Sequence, residues 1–74
     1  MKTIEEMANS MVKAHEKMAA EMQCELQVDA YQYLTGVRIA LKEMGFEREY
    51  YMAVVEKTAQ LMLEQKFFIE YEAA

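Results

Sequence analysis

Proline and tryptophan are absent from the 74 residues, glycine occurs twice, and cysteine and histidine occur once each. Without proline, and with no glycine between residues 3 and 35, nothing in the first half of the chain forces a helix to stop. A single cysteine, Cys24, excludes an intrachain disulfide and fits a reducing compartment. No stretch approaches the roughly 18 uninterrupted apolar residues of a membrane span. The opening MKTIEEMANS places acids where a signal peptide carries its apolar run, so the expected location is cytoplasmic, with no membrane partner. Basic residues are also scarce. Eight Lys and Arg against thirteen Asp and Glu leave a net charge of −5, which repels phosphates and argues against direct nucleic-acid binding. Mimicry of DNA by acidic blocks is disfavoured as well, because Lys13, Lys17, Lys42, Lys57 and Lys66 are interleaved with the acids.

What is present is apolar surface, at 54% of residues, together with 28% charge, a composition that folds rather than remaining disordered. A chain of this size, read as a single helical domain over residues 1–74, builds only a marginal core, so further burial is expected from association with another chain.

The periodicity is helical throughout. Thr3 and Glu6 have the spacing of a capping box and open a first helix whose face carries Ile4, Met7, Met11, Val12, Met18, Met22 and Leu26. Asp29 has the same spacing to Gln32, and Val28 and Tyr33 stand where a hydrophobic staple forms, so a turn at 27–29 divides the first helix from a second. Gly36 lies off the apolar face of that helix, where it fits either a close helix approach or a plain surface position. Gly45 after Met44, followed by Phe46, has the pattern of a Schellman cap and ends helix two. The spacing predicts a third helix from 47 to 71. The fold class expected is therefore all-α, a small domain of three helices at 3–26, 29–44 and 47–71, or alternatively a long hairpin of 3–44 against 47–71. Either would pair with a second copy into a dimeric helical bundle.

The third helix carries more apolar surface than one neighbour can cover. One face holds Tyr50, Tyr51, Val54, Val55, Thr58, Leu61, Met62 and Phe68, and a second stripe of Met52, Ala59, Leu63 and Phe67 runs through its charges. Met52, Leu63 and Phe67 are thus expected at a homodimer seam, while Tyr31 and Ile39 point away from the core face of helix two and are expected at an interface.

No glycine-rich phosphate loop, nucleophile and base pair, or Glu-x-x-His ligand set is written in the chain, so an enzyme is not expected and no cofactor is implied. Glu5 with Glu6 and Glu21 with Glu25 read as solvated helix charges. Cys24, beside two acids, is a poor nucleophile. His15 projects from a methionine stripe, and three readings fit it: a polar group bonded to a tyrosine or a backbone carbonyl, a pH-sensitive contact, or a ligand. Met11, His15, Met18 and Met22 follow one another at helical spacing, and thioether with imidazole suits Cu(I). Such stripes are also core filler and the adaptable lining of binding grooves. The leading functional expectation is a non-enzymatic interaction module that occupies the surface of an as yet unidentified protein partner. It would be a small adaptor, regulator or inhibitor, a class that includes accessory proteins of phages and mobile elements. A soft-metal-binding protein using the Met and His stripe is the alternative.

Overall fold

The computed structural model describes residues 1–71 and contains three helices, α1 (Ile4–Met22), α2 (Ala30–Glu43) and α3 (Arg48–Glu64). No strand occurs among the described residues, where a single parallel bridge joins Val28 and Phe68. None of their helices is long and apolar enough to cross a membrane.

Each helix begins as local chemistry dictates. At α1 the Glu6 amide donates to Thr3 Oγ1 at 3.1 Å and the Thr3 amide donates to Glu6 Oε1 at 3.0 Å, a complete capping box. The Thr3 amide, then the Thr3 hydroxyl, hold the Glu6 carboxyl below its ordinary pKa. At α2 the Asp29 carboxylate accepts the Gln32 amide at 2.9 Å. Helix α3 starts at Glu47 with no side-chain cap, and Glu49 in its first turn complements the positive end of its dipole.

All three helices end in one motif. The residue after the last turn adopts a left-handed backbone, φ 55° at Gln23, 91° at Gly45 and 60° at Lys66. The next amide then bonds back to a carbonyl five residues earlier: Cys24 to Ala19 at 2.9 Å, Phe46 to Leu41 at 3.4 Å and Phe67 to Met62 at 2.9 Å. These are Schellman closures, each with the inner bond also made, from Gln23 to Ala20, Gly45 to Lys42 and Lys66 to Leu63. Only the second uses glycine, the residue for which a positive φ carries no Cβ penalty.

The closures shift the expected boundaries. Helix α1 stops at Met22 and not at 26, and a connection over 23–29 separates it from α2, which rules out the long hairpin. Helix α3 stops at Glu64 and not at 71, because Lys66 turns the chain and Phe67 and Phe68 fold back into the core. The segment that follows runs beside the α1–α2 connection. The Val28 amide donates to the Phe67 carbonyl at 2.9 Å, and the Ile69 amide donates to the Val28 carbonyl at 2.9 Å. Tyr71 Oη adds a bond to Asp29 Oδ1 at 2.8 Å. The Gln32 amide, and after it the Tyr71 hydroxyl, keep the Asp29 carboxyl below its ordinary pKa, while the same bond raises that of Tyr71.

The molecule measures 37 × 32 × 20 Å along its principal axes, so it is about two helix diameters thick. Helix α3 is the central element, packing on both α1 and α2, which meet each other far less. Its buried face is Tyr51, Val54, Thr58 and Met62, and the Thr58 hydroxyl is satisfied by the Val54 carbonyl at 2.7 Å. One end of the core gathers Met7, Val37, Leu41, Tyr51 and Val54, and the other gathers Val12, Met62, Phe67 and Phe68. Tyr33 packs against both. Tyr50 Oη reaches the Lys2 carbonyl at 2.7 Å and ties the N-terminus to α3.

A left-handed backbone at a residue bearing a Cβ is strained, so Lys66→Gly should stabilise the fold by about 0.5–1 kcal/mol. In a domain this small that corresponds to a rise of roughly 2–8 °C in Tm. Lys66→Val, β-branched at the same φ, should lower it. Chemical and thermal denaturation of the two variants measure the effect, and a less stable Lys66→Gly protein would contradict the assignment of this closure.

Candidate functional site: a methionine-lined groove between α1 and α2

Because α1 and α2 each pack on α3 and hardly on each other, a cleft remains between them. Its α1 wall is Met11, Ala14, His15 and Met18, its α2 wall is Gln32, Tyr33, Gly36 and Val37, and its volume is about 360 Å³. A second hollow of about 250 Å³ adjoins it at His15 and Met18 and extends to Met22, Cys24, Glu25 and Val28. A third, at Val28, Asp29, Gln32 and Tyr33, continues the concave tract toward the N-terminus of α2.

The methionine stripe read from the sequence divides here. Met7 is buried in the core and Met11 is half-buried. Met18 is 57% and Met22 64% exposed, so both stand open at the mouth of the tract. Thioethers in this setting make a flexible, polarisable lining that adapts to the shape placed against it.

His15 is half-buried between the walls. Its Nε2 lies 2.7 Å from the Leu26 carbonyl oxygen, and since a carbonyl only accepts, Nε2 carries the proton and donates. The ring meets Tyr33 edge-on, with centroids 5.2 Å apart, and lies 6.0 Å from the ring of Phe67. Of the three readings of this histidine, the bond to a backbone carbonyl describes its geometry. Tyr33 in turn donates its hydroxyl to the Met11 carbonyl at 3.4 Å, and burial raises its phenol pKa.

Gly36 does not serve a close helix approach within this chain. A Cβ built on it meets nothing within 4 Å, and the residue opens directly onto the groove. Cys24 lies past the end of α1, exposed, with its thiol directed to the Met22 carbonyl at 3.6 Å. Among the described residues, no three side chains of His, Cys, Asp and Glu converge in a way that holds a metal ion.

Compared with known proteins, the chain matches no family model, no curated protein and no solved structure.

The expected interface residues separate into two groups. Phe67 is only 9% exposed and packs with Val12, Met62 and Phe68, so it does not extend a helical stripe with Leu63. The reason is the closure at Lys66, which takes Phe67 off the helix. Leu63 at 64%, Met52 at 40%, Tyr31 at 80% and Ile39 at 44% are exposed on the surfaces of α3 and α2. The groove itself was visible in the sequence only as the methionine spacing. Of its α2 wall, Tyr33 and Val37 read as core-face positions of helix two, and Gly36 as a position off that face, so nothing in the spacing joined the three to the methionines.

Proposed function

We propose that this chain is a non-enzymatic interaction module, a small adaptor, regulator or inhibitor that acts by occupying the surface of another protein. One observation carries the reading: an apolar, methionine-lined groove runs between two helices of its own fold and is left uncovered. Small soluble proteins leave such surfaces open chiefly where something binds. The test is a photo-crosslinking amino acid at position 18, used in extract from the native host, with the same group at position 64, exposed on α3, as reference. A discrete adduct from position 18 that excess wild-type protein competes away supports the reading. Identical adducts from both positions, or none from position 18, contradict it.

A second copy of the chain is the proposed partner for a different surface. Met52 and Leu63 stand on α3 away from its buried face, with Ala59 half-buried between them. Two such stripes meeting across a two-fold axis would bury side chains worth about 1.5–3 kcal/mol each. Leu63→Glu should move the light-scattering mass from two chains toward one, while Glu64→Lys leaves it unchanged. A wild-type protein of single-chain mass would end the pairing and make the stripe a docking face for a different protein.

The alternative reading, soft-metal binding, draws on the second hollow, where His15, Met18 and Met22 are joined by the Cys24 thiol at one lining. A thioether, imidazole and thiol set is suited to Cu(I). The bond from His15 Nε2 to Leu26 leaves only Nδ1 for a ligand and so weighs against it. Anaerobic Cu(I) titration decides the matter. Stoichiometric binding lost in both His15→Ala and Met18→Leu would bring this reading to the front, and the expected result is no binding tighter than the micromolar range.

A further inference from the structure

Resting on the reading of the groove as a binding surface, we propose that its occupant is a basic amphipathic helix of another protein, laid lengthwise between α1 and α2. Three observations define that occupant. The first is shape. From Met11 to Met22 the α1 wall runs about 16 Å at the helical rise, three turns, with apolar groups recurring every three or four residues. A second helix presenting side chains at i, i+3 or i+4, and i+7 meshes with such walls.

The second observation is that the backbone of Val28, which lines two of the three depressions, offers nothing for a bound strand to pair with. Val28 has both its amide and its carbonyl taken by the 67–69 segment, and the Leu26 carbonyl accepts His15. An extended peptide lying here would leave its own amides and carbonyls unpaired, whereas a helix satisfies its own. Gly36 contributes in the other direction. Its open Cβ position lets the backbone of an incoming helix approach the α2 wall closely.

The third is charge. The charged residues lining the three joined depressions are Glu25 and Asp29, and no lysine or arginine lines any of them. Nearby, Lys17 is already paired with Glu21 at 3.9 Å. The chain as a whole carries −5. A helix flanked by Lys and Arg is therefore attracted and oriented, and a second copy of this acidic chain is disfavoured in the same place.

The probe is a fluorescently labelled synthetic helix of about five turns, leucine at i, i+3, i+4 and i+7 and lysine elsewhere, followed by anisotropy. The expected result is saturable one-to-one binding, at least about tenfold weaker when glutamate replaces the lysines. Two protein variants locate it. Gly36→Met fills the groove without disturbing the core and should weaken binding at least about tenfold at an unchanged or higher Tm. Met18→Glu makes the groove more acidic, so a purely electrostatic attachment tightens while groove docking weakens. Gln60→Glu, equally acidic but exposed on α3 away from the groove, should leave affinity within about twofold. No binding, equal binding of the glutamate peptide, indifference to Gly36→Met, or tighter binding to Met18→Glu each overturns the proposal. A competed adduct from position 18 alongside failure of the peptide would reject the basic helix and keep the interaction module.

Discussion

The structure depends on two backbone hydrogen bonds, those that join Val28 to Phe67 and to Ile69. Among the described residues they are the only regular pairing outside the helices and their closures, and they fasten the segment after α3 to the connection between the first two helices. With the strap in place, Phe67 and Phe68 close one end of the core, each worth about 1.5–3 kcal/mol of burial. The connection is fixed too, since His15 holds Leu26 from one side and Tyr71 holds Asp29 from the other. Helices α1 and α2 are in this way set against α3 and not against each other, and the groove is the consequence.

Three helix ends built alike show why the sequence reveals some boundaries and conceals others. Gly45 announces its closure because glycine is the residue that takes a positive φ freely. Gln23 and Lys66 take the same conformation and look, in a sequence, like good helix formers. At Lys66 the turn is held by the residue that follows it. Phe67 gains a buried position by leaving the helix, and tertiary burial of an aromatic ring outweighs the local strain of one left-handed lysine. Thr3 with Glu6, and Asp29 with Gln32, were legible for the opposite reason, since a capping bond is made by neighbours in the chain and needs nothing distant.

The methionine stripe was legible as a period but not as a division of labour. A spacing of three and four places Met7, Met11, Met18 and Met22 along one side of α1, and the period does not say how far the opposing helix reaches. That limit is set by the connection over 23–29, which carries α2 away so that Met7 is covered while Met18 and Met22 are not. Likewise Leu63 and Phe67 share a stripe on an ideal helix, and one turn of chain sends the first to solvent and the second to the core.

Gly36 bears on whether the surplus apolar surface is poor packing or, as proposed, a binding surface. A glycine inside a helix costs about 1 kcal/mol against alanine, and none of the described residues touches the space a Cβ would fill. In a domain whose stability is only a few kcal/mol at this length, that is a sizeable cost with no return within the fold. The same residue lies on the α2 wall of the groove that Met11 and Met18 line from α1, where empty space lets another backbone come close. Local destabilisation is most readily understood where a surface has work to do, and Gly36 shares its depression with the open thioether of Met18, while Glu25 and Asp29 line the depressions that adjoin it.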